Sequence, residues 1–154
     1  MQDKIKNLIK DALKNLDIEV SVLSLEHPAD LKMGDYSTNV AMAIAKSVKS
    51  NPKALAEKIV IEISRLNTDP YIEKVEVASA GFINFYLADA YFYQQLKNII
   101  IKEENFAKSD IGKSKNVLIE FVSANPTGPL SVDHARQAAV GDALANILES
   151  LGFK

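Results

Sequence analysis

One stretch near the end of the chain concentrates its chemistry-bearing residues: Ser123-Ala124-Asn125-Pro126-Thr127-Gly128-Pro129-Leu130-Ser131-Val132-Asp133-His134-Ala135-Arg136. An apolar run over 117–122 precedes it, and a helical pattern follows to Leu151. The order strand, Pro/Gly turn, helix aims unbonded first-turn amides and the positive end of a helix dipole at one point. A phosphate is the usual guest there. Pro126 and Pro129 stiffen the turn, and Gly128 lets the backbone pass close to a ligand or take a positive φ. Ser131 and His134, three apart, share one face of the first turn. The serine hydroxyl can donate to a phosphate oxygen, and it can equally cap the helix. His134 is either a phosphate ligand or a first-turn histidine facing solvent. Asp133 complements the helix dipole by about 0.3–1 kcal/mol. A carboxylate about 4 Å from a phosphate, at an effective dielectric of about 20, costs roughly 4 kcal/mol, so its side chain is expected to turn away from a nucleotide. The Asn125 amide can accept from a cationic group and donate to a carboxylate, or simply sit extended before Pro126.

A second pair lies upstream. Phe82 and Asn84 are two apart on an expected strand and share a face. A ring and an amide so placed can stack on a splayed-out base and read its edge. The alternative is a core Phe82 with Asn84 at the sheet edge. Asp35, Tyr36 and Asn39 form another polar cluster, with Asp35 a candidate helix N-cap. His27, before Pro28, has no visible metal partner and reads as structural.

The positioning elements follow from periodicity. Ile5, Leu8, Ile9, Ala12, Leu13 and Leu16 recur at helical spacing. Residues 18–25 alternate and predict a strand. A helix with Val40, Ile44 and Val48 on one face follows the Gly34–Asn39 loop. Asn51 and Pro52 read as N-cap and N1 of the next helix, with Leu55, Ala56, Ile59, Ile63 and Leu66 as its face. Residues 72–78 and 82–87, joined through Ala80 and Gly81, predict a hairpin, and Asp89 opens a helix carrying Phe92, Leu96, Ile99 and Ile100. The polar run 105–116 reads as a linker. The fold class expected is α+β: a small antiparallel sheet with helices on one face, then the first strand and helix of a truncated Rossmann-type domain.

The chain has 154 residues, no Cys, no Trp and a formal charge of −2. That excludes a disulfide framework or a Cys-ligated metal, and it is not the strongly basic balance of a general nucleic-acid binder. Any RNA contact must therefore be local. No run approaches membrane-spanning length.

Val117 to Leu130, with Gly141-Asp142-Ala143-Leu144 and Leu151-Gly152-Phe153, resembles the first strand, signature loop and helix of class I arginyl-tRNA synthetases. The family's "HIGH" tetrapeptide falls on Ser131, Val132, Asp133 and His134, departing at Ser131 and Asp133. Met33 to Ala43 and Gly81 to Phe85 resemble that family's N-terminal additional domain. The resemblance implies an N-terminal fragment of an arginine-tRNA ligase. It would comprise a tRNA D-loop and corner-binding domain over 1–104, a linker over 105–116 and the start of the catalytic domain over 117–154. It implies ATP with Mg2+, L-arginine and tRNA as ligands, a cytoplasmic location and a monomeric parent, with fragments able to self-associate through 117–122. ATP would meet Pro126, Thr127, Gly128, Leu130, Ser131, Asp133 and His134. Arginine would meet Asn125 and Ser123, and a D-loop base would meet Ser79, Phe82 and Asn84. His134, with Ser131, would stabilise charge as arginine's carboxylate displaces pyrophosphate. The fragment alone is expected to be inactive. The rival readings are a non-catalytic tRNA-binding module and a degenerate synthetase paralogue.

Overall fold

The computed structural model describes residues 1–20, 22–78 and 80–154, and the chain falls into two units, Met1–Gln95 and Leu96–Lys154. In the first, helix α1 (Gln2–Asn15) buries Ile5, Ile9, Ala12 and Leu13, one stripe at helical spacing. It packs on α3 (Pro52–Leu66), which buries Leu55, Ala56, Ile59 and Ile63. The expected cap is present: the Asn51 side chain accepts from the amides of Lys53 at 2.9 Å and Ala54 at 3.2 Å, with Pro52 in the first turn.

Three antiparallel strands form the sheet: β1 (Tyr36–Thr38), β2 (Ile72–Ala78) and β3 (Phe82–Leu87), in the order β1-β3-β2. The hairpin turns at Gly81, whose φ of 124° and close approach to Pro52 both favour glycine. Alternation along β3 sends Ile83, Phe85 and Leu87 into the core beneath α3 and the short α2 (Val40–Ile44), and Phe82, Asn84 and Tyr86 to the opposite face.

Two expectations fail here. Residues 18–25 form no strand among the described residues; only Glu26 bridges Ser37. Leu25 is buried while Val22 is 81% exposed, so the alternation has no continuous sheet face behind it. Nor does Asp35 cap a helix. Its carboxylate accepts from the Leu87 amide at 2.7 Å, and its own amide donates to the Phe85 carbonyl at 2.8 Å, which starts β1 instead.

An ion pair ties α1 to the loop after α3. Lys4 Nζ lies 2.7 Å from the Asp69 carboxylate, which also accepts from the Tyr71 amide at 3.0 Å. The hydrogen bond from Lys4, then that from Tyr71, holds the Asp69 carboxyl below its usual range. A depressed folded-state value contributes stability above the ordinary carboxylate pKa, and that contribution disappears as pH falls through the folded value. Acidification below about pH 4 should therefore lower the melting temperature of the chain. Asp69→Asn should flatten part of that acid limb, the rest coming from groups such as Glu76, which Lys74 and then Tyr86 depress in the same way. An unchanged acid limb in the variant would remove Asp69 as a contributor.

Helix α4 (Asp89–Lys102) spans the division between the units. In the second unit, α5 (Val132–Ser150) ends in a Schellman motif. Gly152, at φ 81°, donates to Glu149 at 3.0 Å, and Phe153 donates to Leu148 at 3.1 Å. Residues 109–114 run beside this end, with the amides of Ser109, Gly112 and Ser114 donating to the carbonyls of Ser150, Leu151 and Gly152. The strand expected over 117–122 is not formed among the described residues; the run instead sets Phe121 against α5. A Cβ at Gly141 would collide with the Phe121 ring, so only glycine admits that ring. Val117 N–H donates to Lys154 and Lys154 N–H to Lys115, the bond pair of a parallel bridge.

Candidate functional site

The start of α5 gathers Ser131, Asp133 and His134. Ser131 is the N-cap, and its hydroxyl faces the His134 amide at 3.5 Å. The His134 ring reaches back, its Nδ1 accepting from the Ser131 amide at 2.9 Å, so the pair forms a reciprocal capping box. Among the described residues, the amides of Val132 and Asp133 carry no bond within the chain, as first-turn helix donors commonly do. The Asp133 carboxylate accepts from Arg136 at 3.0 Å in a solvent-exposed pair. Asn125, Pro126, Thr127, Gly128 and Leu130 lie exposed along the loop. Gly128 does not take a positive φ, and nothing lies within 4 Å of where its Cβ would be. The left-handed residue is instead Val122, at φ 56°, a strained conformation for a β-branched side chain that turns the chain into the loop. Ser123 stands apart from the helix start: its hydroxyl donates to Glu120 at 2.5 Å, and both line a groove with Arg136 and Gly141.

The outer face of β3 carries the second candidate site. Phe82 is 40% exposed, whereas Asn84 is 3% exposed. The Asn84 oxygen accepts from the Ser37 hydroxyl at 2.7 Å. Tyr86, next on that face, donates to Glu76 at 2.5 Å, and Glu76 also pairs with Lys74, whose Nζ lies 4.9 Å from the Tyr86 ring centre. The Tyr86 hydroxyl is raised in pKa chiefly by Glu76. Strand register assembles this row, since Ser37 and Glu76 flank Asn84 and Lys74 faces Tyr86. Alternation in 72–78 and 82–87 held that signal, but a pairing register is needed to read it. A groove of about 600 Å³ runs beside the row, lined by Phe82, Ala78 and Asn84 on one side and by Glu26, His27 and Met33 among others. His27 is held in the wall: its Nδ1 donates to the Asp35 carbonyl at 2.7 Å, and its ring lies 4.3 Å from that of Tyr36. Ser79, expected beside Phe82, lies outside the described residues. Among the described residues no three His, Asp or Glu side chains are placed to hold a metal ion, and no helix is long and apolar enough to cross a membrane.

A family profile described as the arginyl tRNA synthetase N terminal domain matches residues 3–87, more than half of the chain. The chain belongs to the arginyl-tRNA synthetase family. A second profile, the catalytic domain of class I (R) tRNA synthetases, matches residues 95–154. The arginine–tRNA ligase of Listeria welshimeri is 46% identical over 151 residues, covering 98% of this chain and 27% of the relative. That of Acetivibrio thermocellus is 43% identical, covering 99% of this chain and 27% of the relative. The chain thus spans about 27% of the length of the curated relatives it matches. Among solved structures, Plasmodium falciparum arginyl-tRNA synthetase aligns with a TM-score of 0.75 at 25% identity, over 99% of this chain and 29% of that one. Thermus thermophilus arginyl-tRNA synthetase aligns with a TM-score of 0.61 at 28% identity, over 100% of this chain and 24% of that one. The fold of this chain is therefore α+β: a three-stranded antiparallel sheet with helices, followed by the start of the class I catalytic domain.

Proposed function

We propose that this chain supplies the tRNA-corner-binding domain and the ATP-binding segment of an arginine–tRNA ligase. The carrying observation is the start of α5, where open amides of Val132 and Asp133 adjoin His134 at the end of a Pro/Gly loop. ATP approaches along Pro126, Thr127, Gly128 and Leu130, with its phosphates toward Ser131 and His134. The Arg136 partner draws Asp133 aside from them. As arginine's carboxylate attacks the α-phosphorus, a P–O bond forms and the bond to pyrophosphate breaks. His134 then donates a hydrogen bond to the developing charge and transfers no proton. Its Nε2–H can do so while Nδ1 keeps the bond from the Ser131 amide. Asn125 and Ser123 hold the arginine. Mg2+ would come with ATP, bound by its phosphates, and would supply charge screening there.

Residues 1–104 form the tRNA-binding part, 105–116 the connection and 117–154 the start of the catalytic domain. Ser79 and Phe82 meet an unpaired D-loop base, and the buried Asn84 holds the strand face behind them. The whole enzyme works in the cytoplasm as a monomer. The chain by itself does not catalyse, because one extended segment, one loop and one helix cannot enclose ATP, arginine and a tRNA end together.

Titrating the chain with an arginine-tRNA transcript tests the RNA face. Base–aromatic stacking contributes about 1–3 kcal/mol, so Phe82→Ala should weaken binding roughly tenfold or more, and Asn84→Ala should weaken it as well. Wild-type affinity in both variants would remove the assignment.

A further inference from the structure

The groove beside Phe82 has walls of opposite character. Ring and methyl surface from Phe82, Ala78 and Met33 can enclose a flat apolar object, while among the described residues no Lys or Arg lines it and Glu26 and Asp30 do. Such a lining rejects a phosphate and accepts hydrogen-bond donors. The Asp30 carboxylate is engaged in its own turn, accepting from the Lys32 amide at 2.9 Å. Asn84, buried, spends its oxygen on Ser37, and its amide side faces the Tyr86 hydroxyl. Glu26 is different. Two backbone bonds to Ser37, of 2.9 and 2.8 Å, lock it onto the edge of β1 and put its exposed side chain on the same face as Asn84. That is two strand spacings, about 10 Å, from Asn84, room enough for a base between them. One Glu26 oxygen accepts from the Ser24 hydroxyl at 2.8 Å, which steadies the carboxylate.

We propose that Glu26 is the specificity-determining residue of this groove: with an unpaired base stacked on Phe82, its carboxylate accepts from an exocyclic amino group and selects adenine, cytosine or guanine against uracil. This rests on the reading of the groove as an RNA contact. A carboxylate only accepts, and adenine, cytosine and guanine each carry an amino donor. Uracil carries carbonyl oxygens at those positions and its one edge donor, N3–H, lies between them, so a carboxylate aligned with the amino position meets oxygen. Asn84 then acts as a positioning residue, holding Ser37 and Tyr86 in the sheet face.

The experiment uses the whole chain and arginine-tRNA transcripts with single abasic substitutions through the D-loop. The groove base is the position whose loss weakens wild-type binding but not that of Phe82→Ala. With each of the four bases at that position, the wild type should bind the uridine form about tenfold or more weakly, a hydrogen bond to a charged group being lost. Glu26→Gln, whose amide can also donate, should bind all four alike. Melting temperature confirms that this exposed substitution leaves the fold intact. Equal binding of all four by the wild type, or an unchanged preference in Glu26→Gln, overturns the assignment of Glu26. No abasic position that distinguishes Phe82→Ala from wild type would instead overturn the groove as an RNA contact, and Glu26 with it.

Discussion

Replacing Phe85 by alanine should cost the first unit about 3–5 kcal/mol, the usual range for emptying a buried aromatic site. Phe85 is fully buried, on the core face of β3, paired with Tyr36 on one side and Val75 on the other. It sits in the middle strand, so the cavity opens beneath helices α2 and α3 at once. A loss of that size is a large share of the roughly 5–15 kcal/mol that holds a domain together. Phe82, three residues earlier and 40% exposed, faces the other way. Its replacement should leave stability within about 1 kcal/mol while weakening tRNA binding. Hydrogen exchange of the β3 amides reads the first unit directly. Protection in Phe85→Ala equal to wild type would show that the core does not depend on this ring.

Gly34→Ala should also be severe, for a backbone reason. Gly34 holds φ at 88°, and a Cβ there would lie 2.6 Å from the Phe85 carbonyl oxygen. That oxygen accepts the Asp35 amide at 2.8 Å, and the Asp35 carboxylate takes the Leu87 amide in turn. The obstruction is main chain in the central strand and cannot rotate aside. Left-handed strain of about 1–3 kcal/mol adds to a disrupted buried hydrogen bond of about 1–3 kcal/mol, for roughly 2–6 kcal/mol together. Gly128→Ala is the control: it has open space and no positive φ, and should stay within about 0.5 kcal/mol. Chemical denaturation of both variants separates the outcomes. Equal midpoints would mean that the Gly34 turn relaxes freely.

Local rules were sufficient wherever a segment's partners lie close in sequence. The stripe Ile5, Ile9, Ala12, Leu13, the Asn51–Pro52 cap, the hairpin through Gly81 and the Ser131 cap are each decided by neighbours within a turn or two, and each stands as the residues implied. Family membership was legible for a similar reason, because the Asn125-Pro126-Thr127-Gly128 loop and its flanks are contiguous. Residues 18–25 misled because alternation describes only half of a strand; the other half is a partner edge, and only Glu26 finds one. Asp35 misled because a carboxylate before a helical pattern can satisfy a distant amide equally well, here that of Leu87.

The sequence by itself determined the α+β class and the family, and it marked the loop and helix proposed to meet ATP, since all of these are written in short-range periodicity and contiguous motif. Tertiary structure alone decided that Glu26, Ser37, Asn84 and Glu76 stand in one row, that Asn84 is buried rather than offered, and that Gly141 exists to admit Phe121. Those facts depend on strand register and on how closely backbones approach, and both are set by the packing of residues far apart in the chain.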